Sequence, residues 1–312
     1  MPHTPMRMRS STLLSLPLAL SLATACGGEP ASDTTPDGPP PIDAPVDAPD
    51  LTVVESRSVT IGPVTVAPGG EATVCGVVDL GNADPRMVRA VHSQLSDGTH
   101  HVIATVTPEA PRPGLSPCGP FAGGASDRGI LTIAQQPRAT LGYPTGAGLP
   151  VVAHQSVHLE MHYFNPTEGT LAISGTITLD LAAADAGLAP VALLFTGGTS
   201  LNIPAHGTQT VSTEHPLPPG AALFATTAHT HQWGTLATVE LLDAPGDPTP
   251  QLLHSSTNWA ERPLDQFPPI TVGADARLRL TCNYDNRSDS AVGFGLSAED
   301  EMCFVWAHHV VP

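Results

Sequence analysis

The segment LAISGTITLDL, Leu171–Leu181, alternates branched apolar residues with small or polar ones at a period of two. Successive side chains of a strand point to opposite faces, so this pattern predicts a strand with one buried and one solvated face. Upstream, RSVTI (Arg57–Ile61) and VTV (Val64–Val66) read the same way. They lead through the turn Pro68-Gly69-Gly70 into a further strand, ATVC (Ala72–Cys75). Downstream, AAADAG (Ala182–Gly187) breaks the alternation, and VALLF (Val191–Phe195) opens a new apolar strand. No strong helical period or fixed-length repeat stands out. The expected fold class is all-β, with domains over 51–187 and 188–312.

Composition agrees and removes several functions. The chain has 312 residues, 41% of them apolar, with 29 Gly and 34 Pro, and its mean hydropathy is +0.04. After residue 25 no apolar run approaches the roughly 20 residues that a membrane-spanning helix needs. Formal net charge is −17, which repels phosphate backbones and argues against nucleic acid as a partner. All 12 basic residues are Arg, so Schiff-base and P-loop lysine chemistry are excluded.

The N-terminus reads as a targeting segment. Arg7 and Arg9 precede a short apolar stretch, Thr12–Ala23, and LATAC (Leu22–Cys26) matches a bacterial lipobox. A lipoprotein signal peptide over 1–25, a lipid on Cys26 and a location in the bacterial cell envelope are therefore expected, with membrane contact through that anchor alone. Residues 29–50 contain seven Pro and five Asp. They bury almost nothing, so 26–50 reads as a solvated tether. Without Cys26, four cysteines remain: Cys75, Cys118, Cys282 and Cys303. An even number in an exported chain predicts two disulfides, and of the three pairings proximity favours Cys75–Cys118 and Cys282–Cys303.

Three stretches hold seven of the 14 histidines. In ATTAHTHQWG (Ala225–Gly234), His229 and His231 share a face if the stretch is a strand, which its threonines favour. In VVAHQSVHLEMHYFNP (Val151–Pro166), alternation places His154, His158, Glu160 and His162 on one strand face. In DGTHHVI (Asp97–Ile103), neighbouring His100 and His101 can reach one metal at a strand end or distorted edge, and Asp97-Gly98 supplies the turn. Near the C-terminus lies DEMCFVW (Asp300–Trp306). A thioether beside imidazoles suits copper better than Mg, Ca or Mn.

The order His-His, MHYFNP, HTH, EMC resembles the copper type II ascorbate-dependent monooxygenases over roughly residues 55–312. That resemblance implies two jelly-roll-like β-sandwich domains in tandem and two copper ions facing each other across a solvent-filled cleft, with ascorbate as reductant. It implies His100, His101 and His162 as ligands of an electron-transferring copper. It implies His229, His231 and Met302 as the catalytic ligands of a second copper, where oxygen binds. It also implies the pairings Cys75–Cys118 and Cys282–Cys303.

Peptide-hydroxylating members place an Arg where this chain has Thr227, Asn and Tyr at the positions of Phe304 and Trp306, and a Gln at that of Glu160. An apolar or aromatic small molecule fits these replacements better than a peptide. The expected activity is hydroxylation of a C–H bond of such a substrate with molecular oxygen. A non-catalytic copper-binding surface lipoprotein is the alternative.

Overall fold

The computed structural model describes residues 52–119, 129–184, 187–260 and 262–312. The signal peptide (1–25), Cys26 and the tether (26–50) lie outside the described residues. The described residues are all-β, with several sheets in a sandwich-like arrangement.

The strand Leu171–Ala183 shows why. Ile173, Ile177, Leu179 and Leu181 are fully buried, each worth about 1.5–3 kcal/mol. Its other face carries Thr176 and Thr178, whose hydroxyls bond to Thr60 and Ser58 of the neighbouring strand Val53–Val66 at 2.9 and 2.8 Å. Gly175 is required where two sheets meet, because a Cβ there would stand 2.6 Å from Val102.

Both strands belong to a nine-stranded sheet that runs through the molecule. Its order is Val53–Val66, Leu171–Ala183, Arg86–Leu95, Ala147–Val151, Ala189–Gly198, Cys303–Val310, Ala222–His229 and Asp265–Thr271, with Arg138–Gly142 on Arg86–Leu95. A five-stranded sheet packs on its first part: Arg112–Pro117, Glu71–Asp79, Ser156–Phe164, Thr99–Thr107 and Ile130–Ala134. A four-stranded sheet packs on the rest: Gly207–Pro216, Arg277–Asn286, Gly234–Leu242 and Gln251–Ser256.

Each pair of layers encloses its own core. One is built around Val102, Leu131, Leu159, Ile177 and Leu179, the other around Leu223, Val239, Leu280 and Val305. The two halves join where Ala189 and Pro190 pair in parallel with Ala147 and Gly148. A small cluster of Ile103 and Ile133 from the first half with Leu193 and Trp306 from the second also joins them. The disulfides are Cys75–Cys118 and Cys282–Cys303. The second crosses its sandwich from Arg277–Asn286 to Cys303–Val310 and anchors the chain next to Met302.

Candidate metal centre

Three strand ends bring five histidines together. On Thr99–Thr107, Thr99 lies opposite Tyr163 and His101 opposite His162, so His100 is the extra residue of a bulge. A bulge re-aims one side chain, which lets adjacent His100 and His101 serve one centre. Their rings lie 5.3 Å apart, and those of His101 and His162 also 5.3 Å. From the other half, Ala222–His229 ends at His229, and His231 follows just beyond. The His229 and His231 rings are 5.1 Å apart.

The two sets do not face each other across a solvent-filled cleft. His100 stands 5.0 Å from His229 and 5.2 Å from His231, so the five imidazoles form one cluster. Two trios, His100/His101/His162 and His100/His229/His231, each place one ligand nitrogen per residue within 4.8 Å of the others. The reason lies in the joining sheet and the shared apolar cluster, which draw the halves together directly beneath the histidines.

Hydrogen bonds settle which nitrogens are available. The Gln135 amide donates to the Thr227 hydroxyl and the Ala228 carbonyl, both at 2.9 Å. Its carbonyl must therefore accept from His229 Nδ1, 3.0 Å away. The Asp300 carbonyl likewise accepts from His231 Nδ1 at 3.0 Å. Both rings then carry their lone pair on Nε2, and the Nε2 atoms of His100, His229 and His231 are buried with no hydrogen-bond partner among the described residues. Buried imidazole nitrogens oriented in this way are what a copper or zinc ion requires, so the donor set fits copper. His162 donates Nε2–H to Glu71 at 2.9 Å, which leaves Nδ1 as its ligand atom.

Met302 is buried and tied to the same loop. Its amide and those of His231 and Trp233 donate to the buried Glu301 carboxylate at 3.2, 2.9 and 2.7 Å. Its carbonyl accepts from Tyr284 at 2.6 Å. Burial pushes Glu301 up to about 7, while the three amides and Arg262 hold it down.

Other expected residues fall elsewhere. His158 and Glu160 share the His162 face of Ser156–Phe164 but belong to neither trio. His154 precedes that strand at φ 52° and bonds Asp79 at 3.2 Å on the surface. Phe304 stacks on Phe195 at 5.0 Å, and Trp306 is buried 5.8 Å from His229. Thr227 is committed to Gln135. A cleft of about 130 Å³ opens beside His100 instead, between Gly98, Thr99, Phe164, Trp259 and Ala260.

Burial, and after it the neighbouring imidazoles, holds His100, His101 and His229 well below the usual histidine range. Burial also pushes His231 down to about 4. These rings fold neutral, whereas the unfolded chain protonates near pH 6.5. Their contribution is thus complete above pH 6.5 and lost as the pH falls toward 4. Glu301 acts in the opposite sense, stabilising at low pH and losing that effect as the pH rises through 7. Four histidines outweigh it. The metal-free protein is expected to show a falling urea midpoint between pH 7 and 4.5; a flat profile would contradict this account of the cluster.

Residues 201–311 match the family model described as copper type II ascorbate-dependent monooxygenase, C-terminal domain. That stretch of the chain is similar to this family's C-terminal domain. Within the matched residues lie His229, His231, Met302 and the Cys282–Cys303 disulfide. No curated protein matches the chain.

Among solved structures, the STIV MCP is similar at 10% identity and a TM-score of 0.36, covering 83% of this chain and 97% of its own. The major capsid protein P2 from bacteriophage PM2 gives 9%, 0.36, 83% and 97%. Recombinant PNGase F gives 10%, 0.36, 81% and 96%.

Three residues around the histidine cluster are not singled out by the sequence reading: Glu301, Glu71 and Gln135. Glu301 directly precedes Met302, and that adjacency was an available signal. Glu71 bonds His162, the Ser297 hydroxyl at 3.0 Å and the Ala298 amide at 2.8 Å, linking the halves. Burial raises its pKa, but the Ala298 amide and His162 outweigh that and hold it below the usual range. Gln135 sits in a polar pair after an apolar strand and carries no local signal.

Proposed function

We propose that this protein is a copper- and ascorbate-dependent monooxygenase that hydroxylates a C–H bond of a small, neutral, largely apolar molecule. We further propose that Cys26 anchors it in a bacterial envelope and that both halves, 51–187 and 188–312, serve as copper domains. The observation that carries the reading is the set of buried Nε2 atoms on His100, His229 and His231 with no hydrogen-bond partner among the described residues, two of them within the stretch similar to this family's C-terminal domain. Bound copper supplies one-electron redox chemistry and oxygen activation.

The chain's own residues do the rest. Gln135 and the Asp300 carbonyl fix the tautomers of His229 and His231. Burial keeps these rings neutral and therefore able to act as ligands at neutral pH. Among the described residues, those lining the cleft beside His100 carry no acidic or basic side chain besides His100 itself, so they offer no counter-ion to a charged substrate. Trp259, 6.1 Å from His100, and Phe164 give it an apolar wall.

The test is copper analysis of the soluble body, followed by oxygen uptake with ascorbate and a panel of neutral aromatic and alicyclic compounds. Substrate-dependent uptake coupled to a hydroxylated product is expected. Copper binding with no coupled uptake across the panel would favour a copper-holding surface protein.

A further inference from the structure

We propose that His100, His229 and His231 form a copper site of their own, composed of three imidazoles and spanning both halves of the molecule. This goes beyond two separate sites, one per half, with Met302 in the second. It rests on the proposed function only for the identity of the metal.

Geometry carries the inference. The three ligand nitrogens lie within 4.8 Å of one another. Nitrogens about 2.0 Å from a shared ion stand roughly 3.3–3.5 Å apart, so small side-chain rotations close the site. The three Nε2 atoms are buried and lack hydrogen-bond partners among the described residues. The outer nitrogens of His229 and His231 are held by acceptors from opposite halves: Gln135 from the first, and Asp300 from the second. Nothing of this kind is accidental to one strand, because the His100 bulge and the end of Ala222–His229 belong to different sheets.

Chemistry adds a constraint. A neutral imidazole has one lone-pair nitrogen, so His100 serves one metal at a time. Copper in the trio spanning the halves therefore takes His100 from His101 and His162, which remain as a two-histidine pair with rings 5.3 Å apart. In the arrangement described, filling this site would tie the halves together, and one of its three ligands, His100, also lines the cleft.

The experiment is a titration of metal-free, isotopically labelled soluble protein with copper(I), followed by long-range imidazole ¹⁵N spectra. With the first equivalent, the Nε2 signals of His100, His229 and His231 are expected to shift together. Shifts of His229 and His231 without His100 would overturn the proposal, as would shifts of His100, His101 and His162 alone.

A second measurement uses the His101→Ala/His162→Ala variant, which keeps the proposed trio and Met302. X-ray absorption is expected to show nitrogen donors, and adding His100→Ala should weaken copper(I) binding at least tenfold. A sulfur donor together with unchanged affinity on adding His100→Ala overturns the site. That result would leave the monooxygenase reading standing, so the two fail separately.

Discussion

Glu301→Ala is expected to destabilise the protein by about 3 kcal/mol or more and to release the segment that holds His231 and Met302. The carboxylate accepts from the amides of His231, Trp233 and Met302, and the residue is fully buried. Each buried donor left without a partner costs about 1–3 kcal/mol, and no other acceptor replaces the carboxylate in alanine. Relief from burying a carboxyl group offsets part of the loss.

In urea, with a slope of roughly 3 kcal/mol/M, the midpoint should fall by about 1 M. Glu301→Gln is the informative partner. Its carbonyl can keep the two bonds made by Oε2, to His231 and Met302, and lose the one to Trp233. It should fall between wild type and alanine. Equal losses for both variants would mean that the carboxylate acts through its charge rather than as a three-amide clasp.

Beyond the stability lost when Thr227, Ala228 and His229 give up a buried partner, Gln135→Leu is expected to lower the affinity of the copper held by His229 by about 10–100-fold. That is the usual consequence of removing the group that orients a ligating histidine. Leucine fills similar space but cannot accept from His229 Nδ1, so either ring tautomer becomes accessible and the free lone pair no longer points reliably at the centre. Gln135→Glu restores the acceptor and strengthens it, at the cost of the amide's bonds to Thr227 and Ala228. Most of the copper affinity should return with glutamate. Competition against a coloured copper(I) chelator measures both variants. A Gln135→Glu protein as weak as Gln135→Leu would show that the amide's donors, and not its acceptor, position the ring.

Much of the architecture could be read locally. Alternation over Leu171–Leu181 predicted a strand, and the strand runs from Leu171 to Ala183 with its odd-numbered residues inward from Ile173 to Leu181. Val191–Phe195 lies within Ala189–Gly198. The Asp97-Gly98 turn led to the expectation of a distorted edge, and a bulge stands at His100. His154 was misassigned to the strand because alternation by itself does not show where pairing stops. Asn82 accepts from the His154 and Gln155 amides just before the strand begins, and His154 turns out at positive φ.

The amino-acid sequence alone determined the all-β class, the disulfide pairs and the five histidines, His100, His101, His162, His229 and His231, that the fold brings together. Each of these depends on residue type and short-range spacing: a period of two, cysteines near in the chain, imidazoles on neighbouring positions. Only the tertiary structure decided that the histidines form one cluster with His100 in both trios, and that Gln135, Glu71 and Glu301 orient it. His100 and His229 are far apart in the chain, and their 5.0 Å separation comes from a sheet continuing across both halves and from Ile103, Ile133, Leu193 and Trp306 packing beneath. Such contacts depend on how two separate cores dock, and no local pattern of residues encodes that distance.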